Sequence, residues 1–302
     1  MTEPVDRVRA EATEVMVRHA RTFSAAAALL APGARAEVAV LYALCRRVDD
    51  LADEVGDRDA LDRISADLRR GASDDPLVAQ FLAIAHQRAI PLDAMSHLVD
   101  GALGDLGAVR IGSPEALVRY GYQVAGTVGR LVSPLLGVHD PAAERFAVDL
   151  GVGMQLSNIA RDVGEDATRD RVYLPASWLR EEGVEPDAVV AGTADPEAVA
   201  RVVARVVELA ERYYDSAERG LRYLPLRPRA VVVVAGRRYR AIGRKAAARG
   251  PAALRERTVV GRWPALGWTL IAPWVALAAG WSAPVPHDRA LHRPLADLWE
   301  AA

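Results

Sequence analysis

The sequence predicts an all-α fold. Apolar residues recur at helical spacing over most of the 302-residue chain, and no segment repeats the alternation that is typical of half-buried strands. The run Val231–Val234 would read as a buried strand by itself, but its continuation Arg237–Ile242 favours one helix through both segments. No Pro/Gly/Ser-rich linker divides the chain, so we expect one domain over residues 1–302. Residues 1–20 form an N-terminal extension in this prediction, and residues 263–302 form an apolar C-terminal helix and tail.

Proline and glycine breaks define the predicted helices in order. Pro32-Gly33 precedes a long helix from about Ala34 to Glu54. Amphipathic helices are expected at 58–70, 75–88 and 92–106. The segment from Pro114 to Leu136 contains three closely spaced glycines, which weaken a helix unless they serve a purpose. Small residues there favour tight helix packing, with a smooth channel for a long apolar ligand as the alternative.

Composition and charge exclude several classes of protein. A net charge of −2 and a pI near 6.3 give no electrostatic footprint for nucleic acid. The single cysteine, Cys45, excludes an internal disulfide and indicates a reducing compartment. The first 20 residues are charged throughout and lack the apolar core of a secretory signal. We therefore expect a cytoplasmic protein.

A long uncharged stretch runs from Trp263 to Trp281 near the C-terminus. Its length barely spans a bilayer, and Pro264, Gly267 and Pro273 weaken the transmembrane interpretation. A terminal helix that covers the core is the favoured prediction. Such a helix could also bring the protein into peripheral contact with the inner face of the membrane.

One stripe of a predicted helix carries only polar oxygen-bearing side chains. In a helix, successive residues turn by about 100°, so the members of this stripe share one face: Gln155, Asn158, Asp162 and Asp166. Oxygen ligands of this kind suit Mg²⁺, which shares its coordination shell with substrate phosphates. The alternative is a capped, exposed helix end, where Asp and Asn are common.

A second stripe of this kind lies upstream, and it favours the metal interpretation. Its members are Tyr42, Arg46, Asp49 and Asp53. Asp49 and Asp53 repel each other at one-turn spacing, and a cation between them would offset that repulsion. Two acidic stripes on otherwise apolar helices predict one shared polar cavity.

The motifs around these stripes resemble the phytoene/squalene synthase family, most closely its bacterial phytoene synthases. The matching segments are Tyr42–Glu54, Tyr120–Gly129, Gln155–Asp166 and Arg171–Pro175, and the resemblance extends from about Arg21 to about Arg262. It implies an all-α isoprenoid synthase bundle with a central cavity, in which two Asp-x-x-x-Asp motifs hold Mg²⁺, or Mn²⁺ in its place. It implies prenyl diphosphate substrates and head-to-head condensation of two geranylgeranyl diphosphates to phytoene through prephytoene diphosphate.

The resemblance also implies roles for particular residues. Metal binding falls to Asp49, Asp53, Asn158, Asp162 and Asp166. Catalytic roles fall to these four aspartates together with Tyr42, Arg46, Tyr120, Arg171 and Tyr173. Substrate binding falls to Gln155, Asn158, Arg161, Tyr239 and Arg262. No nicotinamide-binding motif follows a predicted strand, so NADPH is not expected as a cofactor.

The chain departs from the family pattern at three places. Thr22-Phe-Ser-Ala25 lacks the aromatic residue that often follows Ser-Phe, and Ile111 stands where a tyrosine is usual after the arginine that Arg110 resembles. Trp263-Pro264-Ala265 replaces a basic run and leaves Arg262 as the remaining cation. These losses bear on diphosphate handling and product identity more than on metal binding.

The sequence also has to be weighed against four alternative functions. Farnesyl diphosphate would make the chain a dehydrosqualene, presqualene diphosphate or squalene synthase. A terpene cyclase would share the first acidic motif but normally has a different second one. The pairs His139-Asp140 and His287-Asp288 lack the upstream histidine of a His-Asp phosphohydrolase. A degenerate, non-catalytic prenyl-binding subunit is disfavoured because both acidic motifs are intact.

Overall fold

The computed structural model describes residues 3–19, 30–254, 258, 272–281, 283 and 285–299. The sequence predictions at Arg21–Ala25 and at Arg262–Ala265 therefore lie outside the described residues. Within these ranges the chain is helical apart from one pair of two-residue strands, as an all-α fold requires. The elements in order are α1 (Glu3–His19), α2 (Pro32–Asp50), α3 (Arg58–Arg70), α4 (Pro76–Arg88), α5 (Leu92–Gly104), β1 (Val109–Arg110), α6 (Pro114–Gly121), α7 (Thr127–Val132), α8 (Pro141–Thr168), β2 (Arg171–Val172), α9 (Ala176–Glu181), α10 (Pro186–Val190), α11 (Pro196–Gly220), α12 (Leu226–Arg249) and α13 (272–280).

Three of these helices begin at an Asp-Pro dipeptide. Asp75, Asp140 and Asp195 each accept a hydrogen bond from a backbone N–H of the first turn, as when Asp140 Oδ1 accepts from the Ala142 N–H at 2.9 Å. The proline that follows has no N–H to satisfy and a φ angle already suited to a helix. This local chemistry sets the starts of α4, α8 and α11.

The helix that carries the first acidic motif does not keep one geometry to its end. It is α-helical to Asp50 and continues as a π-helical turn over Leu51–Val55, ending at Gly56 with φ of 68°. The expected helix to about Glu54 is present, and its last turn is π-helical. Since a π turn rotates each residue less than an α turn, Asp53 is displaced from the stripe that Asp49 shares with Tyr42.

Helix α8 lies at the centre of the C-terminal half of the fold. Its buried side chains, including Leu156 and Ile159, form one apolar cluster with Val202, Val206 and Tyr213 of α11. A second cluster joins α1 through α5 and includes the fully buried Leu44, Phe81 and Met95. The sequence-predicted helix through Val231–Val234 is confirmed, because the segment lies inside α12.

Glycines let the neighbours of α8 approach it closely. A Cβ atom at Gly151 would lie 2.3 Å from the Ala125 carbonyl oxygen, and one at Gly129 would lie 2.3 Å from the Ala147 carbonyl oxygen. Neither distance leaves room for a side chain. At Gly129 the tight-packing interpretation is confirmed, and Gly151 packs equally closely.

The apolar C-terminal region contributes one short helix to the described residues. In α13, Ala272 and Ala276 are buried, whereas Trp274 is 75% exposed. Trp281, which directly follows the helix, is 90% exposed. Among the described residues, every helix is too short or too polar to cross a lipid bilayer.

The parallel pair β1–β2 joins the chain before α6 to the chain after α8. Val109 lies opposite Arg171, and Arg110 lies opposite Val172. The Ile111 N–H extends the pairing by donating to the Val172 carbonyl at 3.2 Å. These bonds fix the position of Arg171, which belongs to the site described next.

Candidate active site

The first acidic pair lies at the C-terminal end of α2. Asp49 is reached by solvent but is surrounded by protein atoms on most sides, as a side chain in the wall of a cleft is. Partial desolvation, together with the smaller effect of the neighbouring Asp53, raises the pKa of Asp49 to about 7. Asp53 accepts a hydrogen bond from Arg171 Nη1 at 2.5 Å, and Arg169 Nη1 lies 3.5 Å from its other oxygen.

The second acidic pair occupies the last turns of α8. Asp162 accepts two hydrogen bonds from the adjacent Arg161, the one from Nε at 2.7 Å. Burial raises the pKa of Asp166 to about 7, with Asp162 and Glu165 adding repulsion, while Arg171 and Arg169 partly offset the shift. The turns of α8 thus bring together carboxylates that the protein only partly neutralises.

Arg171 connects the two acidic pairs. Its guanidinium group donates to Asp53 of the first motif and is close enough to lower the pKa of Asp166 in the second. The side chain is 9% exposed, so this charge interaction is screened less than a surface pair would be. The two motifs, which are distant in sequence, therefore border one polar space.

Asn158 supplies an observation that bears on metal binding. It lies one turn before Asp162, and its Nδ2 donates to Gln155 Oε1 at 3.3 Å. Its Oδ1 is buried and accepts no hydrogen bond from the described residues. An unpartnered amide oxygen beside two carboxylates matches the oxygen ligands that Mg²⁺ prefers, so these residues fit a divalent cation.

The carboxylates of the two motifs do not converge on a single point. Among the described residues, they form no set of three ligand atoms close enough for one ion. Arg171 lies between them instead, as its bond to Asp53 and its electrostatic effect on Asp166 show. The spacing of the four acids therefore argues against one cation held by all of them.

Asp105 organises the tyrosines of the site. The hydroxyl groups of Tyr173 and Tyr120 donate to its two carboxylate oxygens at 2.7 and 2.9 Å. The two tyrosine rings are stacked with centroids 4.7 Å apart. Arg171 Nη2 also donates to the Asp105 main-chain oxygen at 2.8 Å. Burial raises the pKa of the Asp105 carboxyl, and the bonds from Tyr173 and Tyr120 oppose that shift.

Tyr42 on α2 and Tyr239 on α12 lie within electrostatic range of each other. Burial raises the pKa of Tyr42, which is also within electrostatic range of Arg46, Asp49 and Tyr239. Tyr239 is likewise within range of Arg161 on α8. These predicted residues are therefore brought to the same region as the acidic pairs.

Arg46 is oriented differently from the other members of its stripe. Its guanidinium pairs with Asp50 and, at 3.3 Å, with Glu54 on its own helix. It remains close enough to lower the pKa of Asp49. Of the predicted residues, only Arg262 lies outside the described part of the chain.

Two cavities adjoin these side chains. A small one, with room for little more than a water molecule, is lined by Asp166, Arg171 and Tyr173 together with the apolar Ile159 and Val163. A larger cavity of about 420 Å³ lies between α1, α2 and the start of α4 and includes Arg46. Of the four aspartates, only Asp166 lines either of these two cavities, and in the small one it meets both polar and apolar neighbours.

Comparison with known proteins identifies the fold and the family. The profile of squalene/phytoene synthases matches residues 16–264, which is most of the chain. The chain belongs to the squalene/phytoene synthase family. It is therefore a prenyltransferase, of a kind that depends on divalent metal ions. The family resemblance predicted from the motifs is confirmed.

Individual relatives cover three quarters or more of the chain. A phytoene synthase from Pseudescherichia vulneris is 34% identical, over 96% of this chain and 96% of its own length. A phytoene synthase from Thermus thermophilus is 41% identical, over 76% of this chain and 79% of its own. The relatives support the phytoene synthase side of the family.

Solved structures confirm the isoprenoid synthase fold. A dehydrosqualene synthase crystal structure superimposes with a TM-score of 0.81 at 22% identity, covering 91% of this chain and 99% of its own. A squalene synthase from Alicyclobacillus acidocaldarius gives a TM-score of 0.74 at 25% identity, covering 82% of this chain and 95% of its own. The predicted all-α bundle is correct.

Two buried acidic residues with structural partners were not predicted from the sequence. Asp105 is one, and the other is Asp149, to which His287 and His292 are hydrogen-bonded. Asp149 shares the buried face of α8 with Val152 and Leu156, so an acid in an apolar stripe was the available signal. The pair His287-Asp288 gave no signal for this contact, because the partner is distant in the chain.

Proposed function

We propose that this protein condenses two geranylgeranyl diphosphates head to head into phytoene. The relatives that cover most of the chain are named phytoene synthases. The geometric observation that supports the proposal is the position of Arg171, which joins the two acidic motifs across one polar space. Such a space suits a diphosphate group together with its cations.

The acidic pairs and the orphaned amide oxygen are the proposed metal ligands: Asp49, Asp53, Asn158, Asp162 and Asp166. Mg²⁺, or Mn²⁺ in its place, would supply Lewis-acid neutralisation of the diphosphate leaving group. Arg171 and Arg161 would bind diphosphate oxygens when a cation takes over their carboxylate partners. Gln155 positions Asn158 through the bond between their side-chain amides.

The reaction consists of two ionisations. Loss of diphosphate from the first substrate leaves an allylic cation, and the double bond of the second attacks it to give prephytoene diphosphate with loss of a proton. A second loss of diphosphate, followed by rearrangement and loss of a proton, gives phytoene without a reductant. NADPH is therefore not part of the proposal.

The tyrosines are proposed to protect and stabilise the carbocations. The rings of Tyr120 and Tyr173 are held in a stack by Asp105 and present electron-rich faces to a nearby cation. Tyr42 and Tyr239 are proposed to border the reacting carbons from α2 and α12. Apolar residues such as Ile159 and Val163 line the same region and would exclude water.

Product analysis tests the function directly. The purified chain is incubated with Mg²⁺ and either labelled geranylgeranyl or farnesyl diphosphate, with and without NADPH, and the lipophilic product is identified. We expect phytoene from geranylgeranyl diphosphate alone. The Asp59→Asn variant, which changes an exposed acid on α3, serves as a control with full activity. Product only from farnesyl diphosphate would correct the substrate, and no hydrocarbon from either would refute the synthase proposal.

We also propose that α13 touches the inner face of the membrane, where a lipophilic product is delivered. Trp274 and Leu277 are exposed on α13, and Trp281 directly follows it. The opposite face is fixed to α12, because Arg229 Nη1 donates to the Ala276 carbonyl at 2.7 Å. A rigidly mounted helix with exposed tryptophans is typical of an interfacial contact.

Vesicle flotation tests this contact. The double variant Trp274→Ser with Trp281→Ser should float several-fold less with lipid vesicles than the unchanged protein. Val17→Ser removes an exposed apolar side chain from α1 and should bind as before. Equal flotation of all three proteins would contradict the proposed contact.

A further inference from the structure

A buried cluster of one carboxylate and two imidazoles is separate from the acidic motifs. The carboxylate lies on α8, and the imidazoles belong to the C-terminal segment that packs against it. Asp149 is fully buried, and the side chains of His287 and His292 are 3% and 10% exposed. Each histidine places its Nε2 atom 2.8 Å from a different oxygen of Asp149. The ligand atoms of the three residues all lie within 4.8 Å of one another.

We propose that this cluster is a zinc site that fastens the C-terminal segment to α8. Two imidazole nitrogens and one carboxylate oxygen form a common zinc donor set, with water in the fourth position. The cluster differs in this respect from the acidic motifs, whose donors are all oxygen atoms and suit Mg²⁺. The proposal concerns residues that the synthase reaction does not use, and it stands independently of the proposed function.

The required geometry is close to the geometry observed. In a tetrahedral site with zinc bonds of 2.0–2.1 Å, neighbouring ligand atoms are about 3.3 Å apart. Each 2.8 Å nitrogen–oxygen distance is measured to a different oxygen of Asp149. One ligand atom from each of the three residues lies within 4.8 Å of the others, so these atoms would move by up to about 1.5 Å to reach tetrahedral spacing. The two imidazole rings are already adjacent, with centroids 4.3 Å apart.

The surrounding residues hold the imidazoles in place. His287 packs edge-on against Phe146, with ring centroids 5.3 Å apart, and His292 packs against Trp299 at 5.2 Å. The Tyr213 hydroxyl donates to the Leu291 carbonyl at 2.8 Å and so fixes the residue before His292. A metal site requires this kind of preorganisation around its ligands.

One polar atom of the cluster remains unsatisfied. His287 Nδ1 is buried and has no hydrogen-bond partner among the described residues. The pairing with Asp149 therefore does not complete the hydrogen bonding of this imidazole. With zinc at Nε2, the ring proton moves to Nδ1, which then needs a hydrogen-bond acceptor beyond the described residues.

Metal content and cobalt spectroscopy test the site without reference to activity. The protein is stripped with chelator, loaded with Zn²⁺ or Co²⁺ and dialysed. We expect one tightly bound Zn²⁺ per chain, the strong visible absorption of four-coordinate Co²⁺, and a higher unfolding midpoint with zinc. Six-coordinate Co²⁺ at the oxygen-rich acidic motifs would absorb only weakly.

Matched variants separate a metal site from a purely hydrogen-bonded one. His292→Gln and His287→Gln keep a group that can donate to Asp149 but remove the imidazole ligand. Their zinc affinity should fall by more than the roughly 10- to 100-fold that loss of an outer-shell partner costs. His86→Gln, an exposed histidine on α4, should bind zinc unchanged.

The same measurements can overturn the proposal. Failure of the unchanged protein to retain zinc would refute it. Zinc retained by both His287→Gln and His292→Gln, but lost in Asp162→Asn, would place the ion at the acidic motifs instead. Neither result would bear on phytoene synthesis, which is assayed separately with Mg²⁺.

Discussion

Two aspartates on the same helix have opposite electrostatic environments. Asp149 lies in the middle of α8 and Asp166 near its end, and burial acts to raise the pKa of both. Yet the pKa of Asp149 is lowered below its ordinary value by His287 and His292, whereas that of Asp166 is raised to about 7 beside Asp162 and Glu165. Burial alone therefore does not decide the charge of a carboxyl group.

The difference shows how far the protein itself compensates a buried carboxylate when no metal is bound: the compensation is complete at Asp149 and incomplete at Asp166. Each oxygen of Asp149 has a donor within the protein, so its charge is compensated. The charge of Asp166 is opposed by neighbouring acids and only partly offset by Arg171 and Arg169. A carboxylate that the protein leaves uncompensated is one that awaits an external cation.

The largest effect is expected from a change at the acidic end of α8, where the carboxylate charges are only partly compensated. Asp162→Asn removes a charge from the proposed metal site while keeping an oxygen that can accept from Arg161. Loss of several kcal/mol of charge stabilisation should lower kcat by about a thousandfold. Phytoene formation measures the loss, and circular dichroism should show unchanged helix content. Retained activity would remove Asp162 from the site.

A change at Asp149, whose charge is compensated, should affect stability instead. In metal-free protein, Asp149→Asn replaces a charged group that accepts two hydrogen bonds by a neutral amide. The amide nitrogen is itself a donor, so it faces one imidazole donor without forming a hydrogen bond. Hydrogen bonds to charged groups contribute about 1.5–3 kcal/mol, so the free energy of unfolding should fall by about that amount. Because the pKa of Asp149 is depressed, its contribution is present above the ordinary Asp pKa and is lost as the pH falls below about 4. Urea unfolding at pH 7 and pH 3 measures both.

The matched change at Asp166 should have the opposite sign. Because its folded pKa lies above its ordinary value, the unfolded chain releases the proton first, and stability falls as the pH rises from about 4 to 7. Asp166→Asn should therefore raise the free energy of unfolding of metal-free protein slightly at pH 8 and leave it unchanged near pH 4. A loss of stability at pH 8 would contradict the proposed electrostatic strain.

The smallest expected effect is the release of protons when Mg²⁺ binds. At pH 7, Asp49 and Asp166 should each be about half protonated in metal-free protein, because both have a pKa of about 7. Binding of Mg²⁺ would favour the ionised forms, so its addition in weak buffer should release up to about one proton per chain. Release should grow as the pH is lowered from 8 to 7 and should be reduced in Asp166→Asn. A pH-independent release would contradict the raised pKa values.

Much of the fold was predictable from local sequence. Helical periodicity predicted the all-α class, and Asp-Pro dipeptides such as Asp140-Pro141 mark helix starts that the structure contains. The acidic stripe of α8 was predicted correctly as a helix face, because Gln155 through Asp166 lie in one regular α-helix. These features depend on residues close together in the chain.

Other features could not be predicted because they depend on distant partners. Nothing near Leu51 indicates the π turn that displaces Asp53. The ring stack of Tyr120 and Tyr173 requires Asp105 from another element. The cluster at Asp149 joins residues more than a hundred positions apart, and no local pattern contains both partners.

The pairing of Arg171 with Asp53 has a consequence for the order in which ligands arrive. A cation that takes Asp53 leaves Arg171 without its carboxylate, in a place where the side chain is nearly enclosed. A diphosphate offers Arg171 a replacement anion, whereas a bare metal ion offers none. In the proposed site this guanidinium would act as a resident counterion that weakens, without preventing, metal binding in the absence of substrate and favours joint entry of the two.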